Sequence, residues 1–384
     1  MIIFGAATLG EVTLAACWRR GVPIECFVDD RVTGPIRGVE VIRTTEVKAR
    51  YPAAGFYLTS PNIEDMIKPL EALGYDNWLS FGVVVKADEI TPDDFSDAEY
   101  TVEHVKYLAR TALHHHENYL HPERLTVQSV DLIITEKCSM KCKDCSNLMQ
   151  YYEHPENADL NETLKSIDDL AERMDEIYEV RVIGGEPFVN KDWHLIVEKL
   201  STVEKVKRIS IFTNATIVPR DYQWKSLEHP KVRLFITDYD ELSRNIRPLV
   251  AALEERKIAY VSEKANGWTE CASLEKHERT VAENESLWTA CCAKNLATLA
   301  DGKLYRCPFA ANAFKLGAVP DYKEDYLVVA ESDRDAVKRF LREKTYIETC
   351  DHCNGRSYGD TVITPAVQVK KPLAYTKYVL KQVH

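Results

Sequence analysis

The residues best suited to chemistry in this chain are its cysteines. There are eleven in 384 residues, an odd number. The start, MIIFGAATLGEVTLAACWRRG, has no basic region ahead of an apolar stretch, so it does not read as a secretion signal. Together these point to reduced thiols in a cytoplasmic protein and not to a disulfide framework. Cys138, Cys142 and Cys145 stand in the run Glu-Lys-Cys-Ser-Met-Lys-Cys-Lys-Asp-Cys, directly after an apolar strand. Three thiolates at this C-x3-C-x2-C spacing can hold a cuboidal iron–sulfur cluster and leave its fourth iron open. An open metal position is what a substrate or cofactor needs in order to coordinate. The alternative is a zinc knuckle or a closed structural cluster. Zinc would want a fourth ligand, and the nearest candidate is His154.

A second set lies in the last third: Cys291 or Cys292, then Cys307, Cys350 and Cys353. In CCAKNLATLADGKLYRCPFA the pair Asp301-Gly302 forces a tight turn between two short strands, which carries the first cysteines toward Cys307. Cys350-Asp-His-Cys353 adds a compact C-x2-C pair. Four thiolates suffice to enclose a cluster or a zinc ion. The spacing allows either member of the Cys291–Cys292 pair; Cys291 is preferred as the ligand, with Cys292 as its small buried neighbour. Cys17 and Cys26 read as buried hydrophobes.

Two further motifs follow strands. Gly184-Gly185-Glu186-Pro187 ends the strand Val180–Ile183, and Thr213-Asn214-Ala215 ends the strand Arg208–Thr213. With the first cysteine triplet they resemble the radical S-adenosylmethionine (SAM) superfamily. The resemblance implies a [4Fe–4S] cluster on Cys138, Cys142 and Cys145, whose open iron chelates SAM. Reductive cleavage of that cofactor then yields a 5′-deoxyadenosyl radical that abstracts hydrogen. It implies cofactor contacts from Gly184, Gly185, Glu186, Pro187, Thr213 and Asn214. The chemistry agrees: glycines let a backbone approach a ligand closely, and a carboxylate suits an ammonium. One departure is Asp144, where the family prefers an aromatic residue near the adenine, so Tyr151 or Tyr152 would have to serve.

The second set resembles the auxiliary-cluster domains of the SPASM and shorter twitch kinds. With one C-terminal C-x2-C pair the twitch pattern fits, implying a second [4Fe–4S] cluster on Cys291, Cys307, Cys350 and Cys353. A fully ligated cluster suits electron transfer. The expected function is redox modification (oxidation, or epimerisation or dehydration) of a sugar or nucleotide-linked sugar, served by an electron donor such as flavodoxin or ferredoxin. A peptide- or protein-modifying SPASM-type enzyme is the second reading. A non-catalytic iron–sulfur or zinc scaffold is the third, and it leaves GGEP without a purpose. Asp238 and Tyr239, at the end of the strand Val232–Thr237, are candidates for substrate contact or proton transfer, though Asp238 could equally be a helix N-cap. Tyr305 and Arg306 could line the same mouth. Cys271 is a candidate hydrogen donor near the radical, with an ordinary buried or surface thiol as the alternative.

The elements that must position these residues are those of an α/β protein. Residues 1–100 alternate strand and helix and predict a small Rossmann-like domain with a parallel sheet. Its turn FGAATLGE has the spacing G-x4-G, with Ala7 in place of the central glycine of G-x-G-x-x-G and Asp29-Asp30 at the second strand's end. This makes a weak dinucleotide site. The stretch resembles Rossmann-like domains found before sugar-modifying enzymes such as amino-sugar acyltransferases, which implies a structural or substrate-docking role. Residues 101–125 read as a polar helical connector, with His114–His116 solvated. Residues 126–265 show repeated βα units, five parallel strands and a possible sixth, predicting a partial (β/α)6 TIM-type barrel with chemistry at the C-terminal strand ends. Residues 266–360 hold the twitch auxiliary-cluster segment. It has few long apolar runs, so a metal staple would help it fold. Residues 361–384 read as a final helix or exposed extension. No stretch is long and apolar enough to span a membrane. A net charge of −11 without a basic stripe argues against nucleic acid as a partner.

Overall fold

The computed structural model describes residues 1–98, 100–356 and 361–378; the last six residues of the expected C-terminal extension lie outside them. The chain divides into two compact units, Met1–Arg124 and Leu125–His384.

The first unit runs β1 (Ile2–Phe4), α1 (Thr8–Arg19), β2 (Phe27–Val28), β3 (Val41–Ile42), α2 (Thr44–Arg50), β4 (Phe56–Leu58), α3 (Ile63–Ala72), β5 (Trp78–Ser80) and α4 (Val102–Leu120). The strands pair in parallel in the order β3-β2-β1-β4-β5, the doubly wound order expected of a Rossmann-like sheet. Sequence reading missed β3 and α2. Ile3, Phe27 and Tyr57 pack into one apolar cluster with α1 and α4. Ile2, Phe4, Val28 and Phe56 pack into another with α3. Burial on both faces explains why β1, β2 and β4 are apolar throughout; the edge strand β5 is less buried and ends in serine.

The glycines of the first turn serve internal packing. A Cβ on Gly5, at φ +101, would lie 2.3 Å from Thr59 Oγ1, and one on Gly10 would lie 2.2 Å from the Gly5 carbonyl oxygen. The Ala6 N–H donates to Asp29 Oδ2 at 2.9 Å, and Asp29 Oδ1 accepts from the Arg31 and Val32 amides. Burial opposes ionisation of Asp29, but these amides outweigh it and hold the carboxyl below its ordinary range. Asp30 is bonded to the Thr44 amide and hydroxyl. The amide that would greet a phosphate is therefore occupied by the chain's own carboxylate.

Residues 101–125 do not form a solvated connector. Helix α4 packs within the first unit, and His114 and His116 are buried. Val105, Ala109, Ala112 and His116 fall on one buried face at helical spacing. His116 Nε2 lies 2.7 Å from the Ser60 carbonyl oxygen, and Nδ1 lies 2.7 Å from Ser80 Oγ. A carbonyl only accepts, so Nε2 carries the proton and the Ser80 hydroxyl donates to Nδ1. The histidine is a satisfied core residue, and burial pushes its pKa down.

The second unit is built on five parallel strands: β6 (Thr126–Ile133), β7 (Glu176–Ile183), β8 (Val206–Thr213), β9 (Val232–Asp238) and β10 (Tyr260–Lys264). Between them come α5 (Leu160–Arg173), α6 (Trp193–Thr202), α7 (Trp224–Leu227) and α8 (Ile246–Glu255). Beyond them lie β11 (Trp268–Thr269), α9 (Val281–Ala290), β12 (Leu296–Ala300), β13 (Lys303–Tyr305), α10 (Pro308–Leu316), β14 (Tyr326–Val328), α11 (Arg334–Arg342) and β15 (Val362–Ile363).

The sixth parallel strand is β12, paired with β6 on the side away from β7. The expected hairpin is present, with Asp301 and Gly302 both at positive φ, the mirror-image turn that fits strand twist. Ala297, Leu299 and Leu304 join the barrel's core with Val130, Leu132, Val182 and Ile211. The cysteine-rich segment thus extends the barrel sheet and shares its core, and it adds two smaller apolar clusters, one around Trp288, Tyr305 and Tyr326 and one around Leu274, Phe309 and Val319. The tail forms no helix among its described residues: β15 pairs with β11, and the chain then runs beside the first cysteine loop.

Candidate active site

The loop after β6 carries Cys138, Cys142 and Cys145, and the loops after β7 and β8 close around it. The Gly185 amide donates to the Thr135 carbonyl and the Glu186 amide to the Lys137 carbonyl, both at 2.9 Å. Cβ atoms on Gly184 and Gly185 would lie 2.1 Å from the Thr135 oxygen and 2.2 Å from the Lys137 oxygen. The two glycines are therefore needed for loop-on-loop contact, a stricter demand than the ligand approach inferred from sequence.

Glu186 is fully buried. Its Oε1 accepts from the Thr213 hydroxyl (2.9 Å) and the Phe188 amide (3.2 Å), and its Oε2 from the Asn214 amide (2.8 Å). Burial pushes its pKa up to about 7 against those donors. Here the carboxylate ties the β7 loop to the β8 loop. Pro187 opens the short 3-10 turn Pro187–Val189 that follows. Ala215 is buried at φ +55, a conformation that favours glycine.

The three thiols share one apolar patch with Met140, Tyr239, Trp268 and Ala366. Each meets N–H donors. The Met140 amide points at Cys138 Sγ (3.5 Å) and the Asn214 carboxamide lies 3.7 Å from it; Gln368 Nε2 donates to Cys142 Sγ at 3.2 Å. Cys145 faces the amides of Met149, Asn147 and Leu148. Burial, helped by the neighbouring thiols, pushes the free thiols up, Cys142 to about 11. Donors aimed at all three sulfurs fit thiolates held by a metal cluster. Among the described residues, no three His, Cys, Asp or Glu side chains are grouped so as to hold a single metal ion.

The second set converges too. Cys291, Cys307, Cys350 and Cys353 line one apolar pocket, walled by Leu287, Trp288, Phe309 and Ile347; Cys292 is not in its lining. Cys307 caps α10 and accepts the Ala310 amide at 3.4 Å. Cys291 accepts the Ala293 amide at 3.4 Å and Cys353 the Gly355 amide at 3.3 Å. The Cys291 thiol is pushed down chiefly by hydrogen bonding with Cys292. Arg279, which the sequence did not single out, braces the knuckle by donating to the Cys350 and Cys353 carbonyls, both at 3.0 Å. Cys271 is buried; its carbonyl accepts from the Cys353 thiol at 3.6 Å, and its own thiol, raised by burial, feels both Cys145 and Cys291.

Other expected site residues are spent on structure. Tyr239 does reach the first set, edge-on to Trp268 at 6.0 Å between ring centroids. Asp238 pairs with Lys264 at 3.3 Å and accepts the Asp240 amide. Tyr305 is buried among Phe314 and Tyr326. Arg306 is buried and donates to the carbonyls of Phe340, Leu341 and Lys294, so it clamps the end of α11 and does not line a mouth. Burial pushes its pKa down to about 10. The Tyr152 hydroxyl is buried against Asn312 (2.8 Å), and the Tyr151 hydroxyl donates to the Ala272 carbonyl (3.0 Å). Both hydroxyls thus already have a protein partner.

A parallel barrel sheet with three thiols after its first strand defines a class, and comparison agrees with it. Residues 132–247 match the Radical SAM superfamily model; the chain carries a radical SAM domain, which brings a [4Fe–4S] cluster and SAM as its cofactors. The chain is similar to GTP 3′,8-cyclases. It is 29% identical over 112 residues to that of Haemophilus influenzae (strain PittEE), covering 28% of this chain and 33% of that protein. It is 29% identical over 149 residues to that of Pasteurella multocida (strain Pm70), covering 35% and 43%. The chain thus spans about a third of the length of the first of these relatives. Among solved structures it is similar to BtrN in complex with AdoMet and 2-DOIA, at 15% identity and TM-score 0.40, covering 62% of this chain and 98% of that one. It is also similar to Streptococcus suis SuiB bound to precursor peptide SuiA, at 14% and 0.33, covering 65% and 72%. Among the described residues no helix is long and apolar enough to cross a membrane.

Proposed function

We propose that this protein is a radical SAM oxidoreductase with one auxiliary [4Fe–4S] cluster, acting on a small hydroxyl-bearing substrate such as a sugar or nucleotide-linked sugar. When bound, the first cluster supplies the electron for SAM cleavage, and a second supplies an acceptor for the electron left over when an alcohol carbon is oxidised. Cys138, Cys142 and Cys145 would hold the first, and Cys291, Cys307, Cys350 and Cys353 the second. The observation that carries the reading is the convergence of those four thiols on one pocket, with the Cys353 thiol also meeting the Cys271 carbonyl. With all four positions thiolate, such a cluster keeps no open iron and suits electron movement. Asn214 and the GGEP loop would orient the cofactor. Tyr239, seated on the first cysteine patch, is the candidate to face substrate. The Asp29 contact with the Ala6 amide favours a structural or docking role for the first unit over a phosphate site.

Anaerobic reconstitution should give about eight irons per chain, and about four in Cys350→Ala/Cys353→Ala. Among candidate sugars, nucleotide sugars and peptides, a sugar should stimulate 5′-deoxyadenosine formation. Stimulation by peptides alone would sink the sugar reading, and zinc without iron would sink the whole of it.

A further inference from the structure

The tail beyond β15 lies against the first cysteine loop. The Lys143 amide donates to the Val367 carbonyl at 2.7 Å and the Val369 amide to the Lys141 carbonyl at 2.8 Å, so Cys142 and Gln368 face each other as an antiparallel bridge. Ala366 is buried in the apolar patch of the three thiols. Further along, the Leu373 amide donates to the Gln150 carbonyl, the Tyr375 hydroxyl to Leu316 and the Tyr378 amide to Gly317. The strap is anchored at several points along its length.

The carboxamide of Gln368 has only one orientation consistent with its neighbours. Its Oε1 accepts the Lys141 amide at 2.8 Å, and a backbone N–H can only donate. Its Nε2 donates to the Ala366 carbonyl at 2.7 Å, which can only accept. Two unambiguous backbone partners thus aim the remaining N–H at Cys142 Sγ, 3.2 Å away.

We propose that Gln368 is a positioning residue that tunes the first cluster: its N–H stabilises charge on the Cys142 thiolate and raises the cluster's reduction potential. This rests on the reading of Cys138, Cys142 and Cys145 as cluster ligands. One-electron reduction adds negative charge to the cluster, and a hydrogen bond to a ligand sulfur favours the more negative state. The same bond holds the strap over the sulfur and limits solvent access.

The test is an EPR-monitored redox titration of the anaerobically reconstituted full chain with dithionite, following the signal that responds to added SAM. Gln368→Met keeps length and removes the donor. Gln368→Glu keeps an acceptor for the Lys141 amide and turns a charge toward the sulfur. Potentials should fall in the order wild type, Gln368→Met, Gln368→Glu, with iron content unchanged and exposed-thiol labelling after cluster removal faster at Cys142. Equal potentials in all three proteins would make Gln368 a bystander. Loss of iron in both variants would make it only a folding contact. Either result overturns the proposal, whereas a wild type without a SAM-responsive signal fails at the cluster reading itself.

Discussion

Replacing Gly185 by alanine separates steric from conformational demands at the site. Gly185 is not among the residues at positive φ, so alanine's backbone preferences are not offended. Only space is at issue. The added methyl would lie 2.2 Å from the Lys137 oxygen, 2.6 Å from its carbonyl carbon and 2.9 Å from Cys138 Cβ, where ordinary contact begins at 3.4 Å. All the nearest atoms belong to the loop that carries Cys138, two of them to its backbone, so the two loops must part by about 1.2 Å. That parting strains the amide contacts Gly185 to Thr135 and Glu186 to Lys137. Two such bonds contribute about 1 kcal/mol each, and overpacking costs about 1–3 kcal/mol more. A loss of about 3–5 kcal/mol is expected, felt at Cys138 because the clash bears on that loop. Iron per chain after anaerobic reconstitution should fall by about half while the auxiliary set still fills, and hydrogen exchange should quicken in the loops after β6 and β7. A Gly185→Ala protein with full iron and unaltered exchange would refute the claim that close packing of these loops sets the position of Cys138.

Other outcomes follow from buried groups. Burial holds the His114 pKa down at about 4, so its contribution to the first unit is present above about pH 6.5 and lost as pH falls toward 4, about 3 kcal/mol in all; His114→Leu should flatten the pH dependence of hydrogen exchange in α4. Glu186, raised to about 7, has the opposite sign: stability present below about pH 4.5 is lost as pH rises to 7, by about 3 kcal/mol. Glu186→Gln should remove that slope in the apoprotein's melting temperature, and it should cost about 1–3 kcal/mol by turning an NH2 toward donors that now find oxygen. Arg306→Met leaves three carbonyls unmet and should lower the melting temperature of the second unit without changing the EPR signal of the first cluster.

Much of the site was legible because it is local. C-x3-C-x2-C, GGEP and Thr-Asn-Ala each sit just after an apolar run, and strand ends in a parallel sheet gather on one edge. The Asp-Gly hairpin was equally readable. What lay hidden depends on partners distant in sequence. Gln368 lies 226 residues from Cys142 and carries no motif. β12 resembles any short apolar strand, and nothing local says that it pairs with β6. Glu186 and the two glycines were singled out for cofactor contact; packing adds a second demand the sequence did not show, because Lys137 and Thr135 occupy the space beside the glycines. The histidine run misled because its composition is polar. The stripe Val105, Ala109, Ala112, His116 was visible in the sequence, and periodicity deserved more weight than residue type.

The hydrogen bonds at the strand ends form a connected chain. The β7 loop donates to the β6 loop through the Gly185 and Glu186 amides. Glu186 accepts from the β8 loop, whose Asn214 carbonyl accepts the Ser243 hydroxyl beyond β9. On the other flank the β6 loop is paired to the tail through Gln368. Each link is a backbone group or a side chain with named partners, the buried Glu186 and Ser243 and the exposed Gln368 among them, so a shift in one takes partners from its neighbours. The thiols therefore need not be held by the cysteine loop's own stiffness. Their spacing is imposed from both sides by loops that belong to other strands and by a segment from the far end of the chain. Substitutions at Glu186, Asn214 and Gln368 should accordingly be non-additive with one another in their effect on the first cluster, while each stays additive with changes at Arg279 or Arg306, which lie outside this chain of contacts.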